Sequence, residues 1–181
     1  RGEWLQLLRE QGLAGKGLDT NRVTIEQCRE AGLDVVEGDA MEYLRGLPDA
    51  CLGAITGFHI IEHIPFTDLV RLIDECLRVL NPGGIAMFET PNPENLVVGS
   101  CSFYNDPTHL NPLPPLVSQF LLGARGFESV EILRLTENRA VERLPLQPAE
   151  EQNSGKLNTA IEFINRHFGA APDYAVIGYK P

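Results

Sequence analysis

Imidazole is the side chain best matched to accepting a proton near neutral pH, and His63 and His109 are the histidines placed to do so. His63 follows an apolar segment, Leu52 to Gly57, that reads as a strand. His109 lies in a long, proline-rich irregular stretch. His59, closer to the same strand, reads as a contact to a cofactor or as packing beneath one, and His167 falls in a later helical segment away from the others. Asp106 can orient His109 or bind a hydroxyl group, although Asp106-Pro107 is also an ordinary turn. Phe103 and Tyr104 can stack on a sugar or line a pocket for a cation, or simply anchor the loop that carries them. Two further carboxylates, Asp19 and Asp39, close short strands. The first can accept both hydroxyls of a ribose and the second an exocyclic amine; either can instead cap the helix that follows it.

These groups acquire a common location only if the chain folds as alternating strands and helices. Glu3 to Gln11 carries Trp4, Leu5, Leu7 and Leu8 on one broad face, with Gly12 as its stop. A short strand ends on Asp19, and Thr20 or Asn21 can cap a helix through Ala31. Leu33 to Val36 is the next strand, ending at Glu37-Gly38-Asp39, and Met41 to Arg45 the next helix. Leu52 to Gly57 is expected to lie centrally, buried on both faces. Phe66 to Leu80 has a helical apolar period and stops at Asn81-Pro82-Gly83-Gly84, before a strand at Ile85 to Glu89. The expected fold is α/β, with a doubly wound, mostly parallel sheet and an antiparallel final strand at Tyr174 to Tyr179. In such sheets ligands bind at the carboxyl ends of the strands, where Asp19, Asp39, His59 and His63 fall. The irregular run from Thr90 to Pro115 has the length of an active-site loop. Residues 116–124 read as a helix with Pro115 in its first turn, 127–135 as a strand and 156–168 as a helix. Residues 137–155 read as an insertion or mobile loop.

At 181 residues the chain is expected to form a single domain. Its 43% hydrophobic and 22% charged residues are those of a globular protein, which disfavours disorder. A formal charge of -10 repels phosphate backbones, so nucleic acid is not an expected partner. No apolar run has the roughly 20 residues that cross a bilayer, so no integral membrane segment and a cytoplasmic location are expected. Cys28, Cys51, Cys76 and Cys101 are far apart and no histidines cluster in the sequence, so spacing signals neither a metal site nor a disulfide framework. Buried free thiols are expected.

Arg1-Gly2-Glu3-Trp4-Leu5 resembles the tail of the first motif, acidic-x-Gly-x-Gly-x-Gly, of the class I S-adenosylmethionine-dependent methyltransferases, with Gly2 as the third glycine. Gly17-Leu18-Asp19 resembles their acidic second motif, Glu37-Gly38-Asp39-Ala40 their adenine-binding turn, and Leu77 to Gly84 the turn before their fifth strand. The order and spacing hold over residues 1–135. Phe58 to Ile64, Thr90 to Pro93 and Asp106 to Pro112 are similar to a small-molecule subgroup associated with polysaccharide enzymes. The resemblance implies a Rossmann-like sheet whose first strand lies upstream of Arg1, and S-adenosylmethionine as cofactor. It implies cofactor contacts from Gly2, Asp19, Thr20, Asp39, Ala40, Phe58 and His59. Phe103, Tyr104 and Asp106 would bind a small-molecule or saccharide acceptor, and His109 and His63 would supply the base for an oxygen acceptor, with no metal. Two alternatives stay open: a non-catalytic nucleoside- or partner-binding module, and a nicotinamide-dependent oxidoreductase.

Overall fold

The computed structural model describes residues 2–135, 143–150 and 153–181, in two compact units, Arg1–Asp49 and Ala50–Pro181. The first unit contains α1 (Glu3–Glu10), β1 (Gly17–Asp19), α2 (Arg22–Glu30), β2 (Val35–Glu37) and α3 (Ala40–Arg45). β1 and β2 pair in parallel, with Asp19 opposite Glu37. Asn21, not Thr20, caps α2: its side chain accepts from the amides of Val23 and Thr24. Ile25, Cys28, Leu33 and Leu44 form the small core.

The second unit contains β3 (Leu52–Phe58), a 3-10 turn at Ile61–His63, α4 (Phe66–Val79), β4 (Leu80–Pro91), α5 (Leu96–Ser100) and a 3-10 turn at Ser102–Asn105. α6 (Pro115–Ala124), β5 (Glu128–Leu135), α7 (Ser154–His167) and β6 (Asp173–Tyr179) complete it. The four strands are ordered β3-β4-β6-β5. β3 and β4 are parallel, while β6 runs antiparallel to both β4 and β5, so the final strand alone reverses direction. The mixed α/β sheet and its reversed last strand agree with the expectation from sequence.

α4 is amphipathic in the expected register: Leu69, Leu72, Ile73, Cys76 and Val79 are all buried. β3 departs from expectation. It is the edge strand of this sheet, and none of its residues is buried. The apolar look of its sequence comes partly from Gly53, Ala54 and Gly57, which have little area to bury. Two of the four thiols, Cys51 and Cys101, are exposed, and only Cys28 and Cys76 are buried. Burial pushes the Cys76 thiol up to about 12.

The irregular run after β4 is firmly tied to the sheet. Tyr174, fully buried on β6, donates to the carbonyl of Leu113 at 2.9 Å and so accepts from the hydroxyl of Ser118 at 2.6 Å. Part of the expected insertion, 143–150, is also held. Asn165 of α7 exchanges two hydrogen bonds with the backbone of Leu144, and Asn158 does the same with Gln147. The remainder of that insertion, 137–142 and 151–152, lies outside the described residues.

A close backbone approach explains one glycine of the turn at the start of β4. A Cβ on Gly84 would sit 2.8 Å from the Asn81 carbonyl oxygen and 3.1 Å from that of Gly53, whereas a Cβ on Gly53 meets nothing within 4 Å. Gly84→Ala is therefore expected to cost about 1–3 kcal/mol by overpacking. That corresponds to a melting temperature lowered by roughly 2–12 °C. Gly53→Ala should leave it nearly unchanged. Thermal melts followed by circular dichroism check both, and equal melting temperatures would contradict this account of the turn.

Candidate active site

In the second unit the carboxyl ends of β3 and β4 converge on Glu62, whose residue is only 1% exposed. Its Oε2 accepts from the hydroxyl of Thr90 at 2.9 Å, and its Oε1 lies 3.2 Å from His59 Nδ1. The Glu62 carbonyl accepts from the amide of Leu110 at 2.9 Å, which fastens the loop that follows α5 to the 3-10 turn after β3. Burial pushes the Glu62 carboxyl up, but the hydrogen bonds from His59, its own backbone and Thr90 together hold it below the usual carboxylate range. The hydrogen bond to Glu62 raises His59 above its ordinary value, against desolvation. The two shifts describe one ion pair. His59 itself has φ +50°, and its amide donates to the Glu89 carbonyl at 2.9 Å.

The structure brings His63 and His109 together, with ring centroids 4.7 Å apart. Their hydrogen bonds fix their tautomers. His109 Nδ1 lies 2.6 Å from the Phe103 carbonyl oxygen, which can only accept; Nδ1 therefore carries the proton, and Nε2 stands 4.0 Å from Glu62 Oε1. Thr108 donates its hydroxyl proton to Asp106 at 2.6 Å, so toward His63 Nδ1, at 2.9 Å, the same oxygen accepts. His63 Nε2 is left with the lone pair. That hydroxyl bond and the Thr108 amide hold the exposed Asp106 carboxyl below its ordinary value.

A hollow of about 270 Å³ opens beside this group, lined by His59, Pro91, Phe103, His109, Pro172 and Asp173 among others. Small-ligand pockets run from roughly 300 Å³ upward, so it suits a compact group. A larger hollow, about 410 Å³ along α7, is lined by Arg143, Leu146, Glu162, Asn165 and Arg166 and contains none of the histidines discussed above. Phe103 is 2% exposed and supports the His109 ring at a centroid distance of 4.5 Å, while Tyr104 is 60% exposed. Glu62, Thr90 and Thr108 were not singled out from sequence. Their partners lie 28 and 45 residues away, and only the Asp106-x-Thr108 spacing, typical of a turn in which a carboxylate bonds two residues ahead, gave any signal.

In the first unit Asp19 and Asp39 come to the same edge, since the Gly38 amide donates to the Asp19 carbonyl at 3.0 Å. Asp19 Oδ1 accepts from the Asn21 amide and Asp39 Oδ1 caps α3 through the Glu42 amide. The capping reading holds for Asp39 alone; before α2 Asn21 takes that place, and Asp19 braces the turn that leads into it. Thr20 is exposed beside Asp19, and Ala40 opens α3. Gly2, with φ +93°, precedes α1; a Cβ there would lie 2.6 Å from Leu33 Cδ1 and 2.9 Å from Cys28 Sγ. Phe58, 40% exposed, and His59 end β3 in the second unit.

The family described as a methyltransferase domain matches residues 1–88. A probable S-adenosylmethionine-dependent methyltransferase of Mycolicibacterium smegmatis is 33% identical over 119 residues, 65% of this chain and 44% of that protein. The chain thus spans less than half the length of the curated relatives it matches. The crystal structure of a SAM-dependent methyltransferase from Archaeoglobus fulgidus is 34% identical, with a TM-score of 0.89 over 99% of this chain and 81% of that one. A putative methyltransferase of Haloferax volcanii, solved in complex with the Trm112 activator, shares the fold at 16% identity and a TM-score of 0.70, over 99% and 78% of the two chains.

Thr90 is fully buried, and Thr90→Val keeps its shape while removing the donor to Glu62. The expected loss is about 1–3 kcal/mol at neutral pH, because a buried carboxylate oxygen loses its partner. The sign with pH follows from the lowered carboxyl. The stabilisation is fully present above the ordinary value of 4.5 and is lost as pH falls through the depressed folded value. Urea midpoints of both proteins should therefore converge in acid; a gap independent of pH would refute the assignment to Glu62.

Proposed function

The chain belongs to the class I S-adenosylmethionine-dependent methyltransferases, and from that premise we propose that it transfers a methyl group to a hydroxyl oxygen of a small-molecule or glycan acceptor. The observation that carries the oxygen reading is the His63–His109 pair, whose Nδ1 protons are committed to Thr108 and Phe103 and whose Nε2 lone pairs are available. A hydroxyl needs such a proton acceptor, since it is not nucleophilic enough by itself. Asp106 and Thr108 keep the Nδ1 proton of His63 engaged, which leaves Nε2 as the nitrogen that can act as base. The compact hollow adds polar groups, His59 and Asp173, to flat apolar walls from Pro91, Pro172 and Phe103, a lining suited to a polyhydroxylated ring. Tyr104, exposed on the same loop, would stack on the acceptor, and Asp106 would bind its hydroxyls.

The residues present fit the cofactor. The left-handed backbone at Gly2 suits the last glycine of the first motif, and Asp19 with Asp39 suits a ribose and an adenine amine. When bound, S-adenosylmethionine supplies a methyl carbon on a sulfonium, whose sulfur keeps the electron pair of the broken C–S bond as the acceptor oxygen forms the new O–C bond. Gly2, Asp19, Thr20, Asp39 and Ala40 of the first unit would hold and orient it; in the second unit His63 or His109 takes the hydroxyl proton on Nε2. Residues 1–181 act as one methyltransferase domain. A net charge of -10 supports a neutral or small acceptor over nucleic acid, and four free cysteines suit a reducing, cytoplasmic compartment. Among the described residues no helix is long and apolar enough to cross a membrane.

Titration calorimetry with S-adenosylmethionine is expected to show binding that Asp19→Ala weakens by about tenfold or more, roughly 1.4 kcal/mol. With a panel of nucleotide sugars and small hydroxylated acceptors, His63→Ala should lower kcat by about 10²–10⁴-fold while cofactor affinity stays unchanged. Absence of cofactor binding would favour the non-catalytic module, and full turnover in both His63→Ala and His109→Ala would reject the base.

A further inference from the structure

We propose that Glu62, His63 and His109 form a site for one divalent cation of the zinc type, which holds the acceptor oxygen. One donor atom from each of the three lies within 4.8 Å of the others, and Glu62 Oε1 is 4.0 Å from His109 Nε2. Neighbouring ligands on a tetrahedral zinc, with bonds of about 2.1 Å, stand roughly 3.4 Å apart. Small side-chain rotations close the difference.

Three features separate this group from an incidental cluster. First, both imidazoles give their Nδ1 protons to acceptors on the outside, the Phe103 carbonyl and the Thr108 hydroxyl, which in turn donates to Asp106. Ligating histidines are held in this way, with the second nitrogen bonded outward and the first turned to the metal. Second, His109 Nε2, a lone pair in that tautomer, faces a carboxylate oxygen across a gap too long for a hydrogen bond. Two electron-rich atoms face each other there, and a cation between them turns repulsion into two bonds. Third, the carboxylate is itself braced. Thr90 holds Oε2 and His59 approaches Oε1, so Glu62 is oriented by its own partners while 1% exposed. Two nitrogens and one carboxylate oxygen are a known zinc donor set that keeps a further position open for an oxygen ligand.

The cation would act on chemistry already at hand. An acceptor hydroxyl bound at the open position becomes more acidic, its proton leaves to solvent instead of to Nε2, and the oxygen takes the methyl carbon as the C–S pair goes to sulfur; the cation itself is unchanged. This role of the cation rests on the methyl-transfer reading, whereas the cation site does not.

The test uses tag-free chain stripped with chelator, then dialysed against Zn²⁺, with bound metal counted by mass spectrometry. Co²⁺ in a parallel sample reports coordination by its visible absorption. One Zn²⁺ per chain is expected. His63→Ala and His109→Ala should each weaken binding by about 100-fold, and Thr108→Val, which removes only the orienting hydroxyl, by about tenfold. His167→Ala serves as the unaffected control. Glu62→Gln should weaken binding too, but the histidine variants decide the matter if that protein does not fold. No stoichiometric Zn²⁺, or binding that survives both histidine variants, would overturn the site. So would binding lost in Glu89→Gln yet retained in His63→Ala, which would move the ion to the neighbouring His59, Glu89 and Asp173 group. Methyl transfer that persists in metal-free protein would overturn the cation's role and leave the transferase intact. Bound Zn²⁺ without cofactor binding would support the site and defeat the transferase reading.

Discussion

Burial of the Glu62 carboxylate is the constraint on which the second unit's site depends. Taking an ionised carboxylate out of water costs several kcal/mol unless its oxygens are met by donors or charge. Here the compensation comes from two separate places in the chain: His59 just past β3 and Thr90 at the end of β4. The Leu110 amide bound to the Glu62 carbonyl adds a backbone link. The Thr90 and Leu110 contacts are short in space and long in sequence, so Glu62 works as a clasp that holds two strand ends and one loop in a single arrangement.

The loop can be held this way because its own polar groups are satisfied by the scaffold. Asn92, fully buried, donates to the Ala171 carbonyl, and Asn95 caps α5 with its oxygen while donating to the carbonyls of Ala170 and Phe168. These asparagines couple the start of the loop to the segment entering β6. Tyr174 and Ser118 do the same for its end through Leu113. A proline-rich stretch with little regular structure is thereby fixed at both ends and in the middle, which gives His109 a defined position without a helix or strand to carry it.

Much of this fold was legible in the sequence, and for reasons of periodicity. The apolar spacing of α4, the proline at the first turn of α6 and the alternation in β5 are local properties, and each element forms where the pattern places it. The pairing of His63 with His109 was also legible, because one follows a strand and the other sits in the loop expected over it. β3 was read as buried on both faces because hydropathy counts small residues as apolar without asking what covers them; the strand is an edge in its sheet. Glu62 was not legible. Between Ile61 and His63 it has the look of a solvated charge, and only the Thr90 and His59 contacts, made after folding, reveal it as buried.

The left-handed backbone at His59 follows from the same constraint. A non-glycine residue at φ +50° carries strain of about 1–3 kcal/mol and persists only where its surroundings over-determine it. His59 is tied at two points: its amide donates to the Glu89 carbonyl, continuing the β3–β4 pairing one residue past the strand, and its ring reaches Glu62 Oε1 with Glu89 Oε1 3.5 Å from the other nitrogen. With an extended backbone at His59 the chain would carry on along the strand direction. The left-handed backbone instead breaks from that direction, and Ile61–His63 wind as a 3-10 turn with Glu62 buried and His63 beside His109. Strain at one residue and burial of a charge at another are thus two sides of one arrangement, in which the energy stored in the backbone is offset by the ion pair and used to aim the histidines.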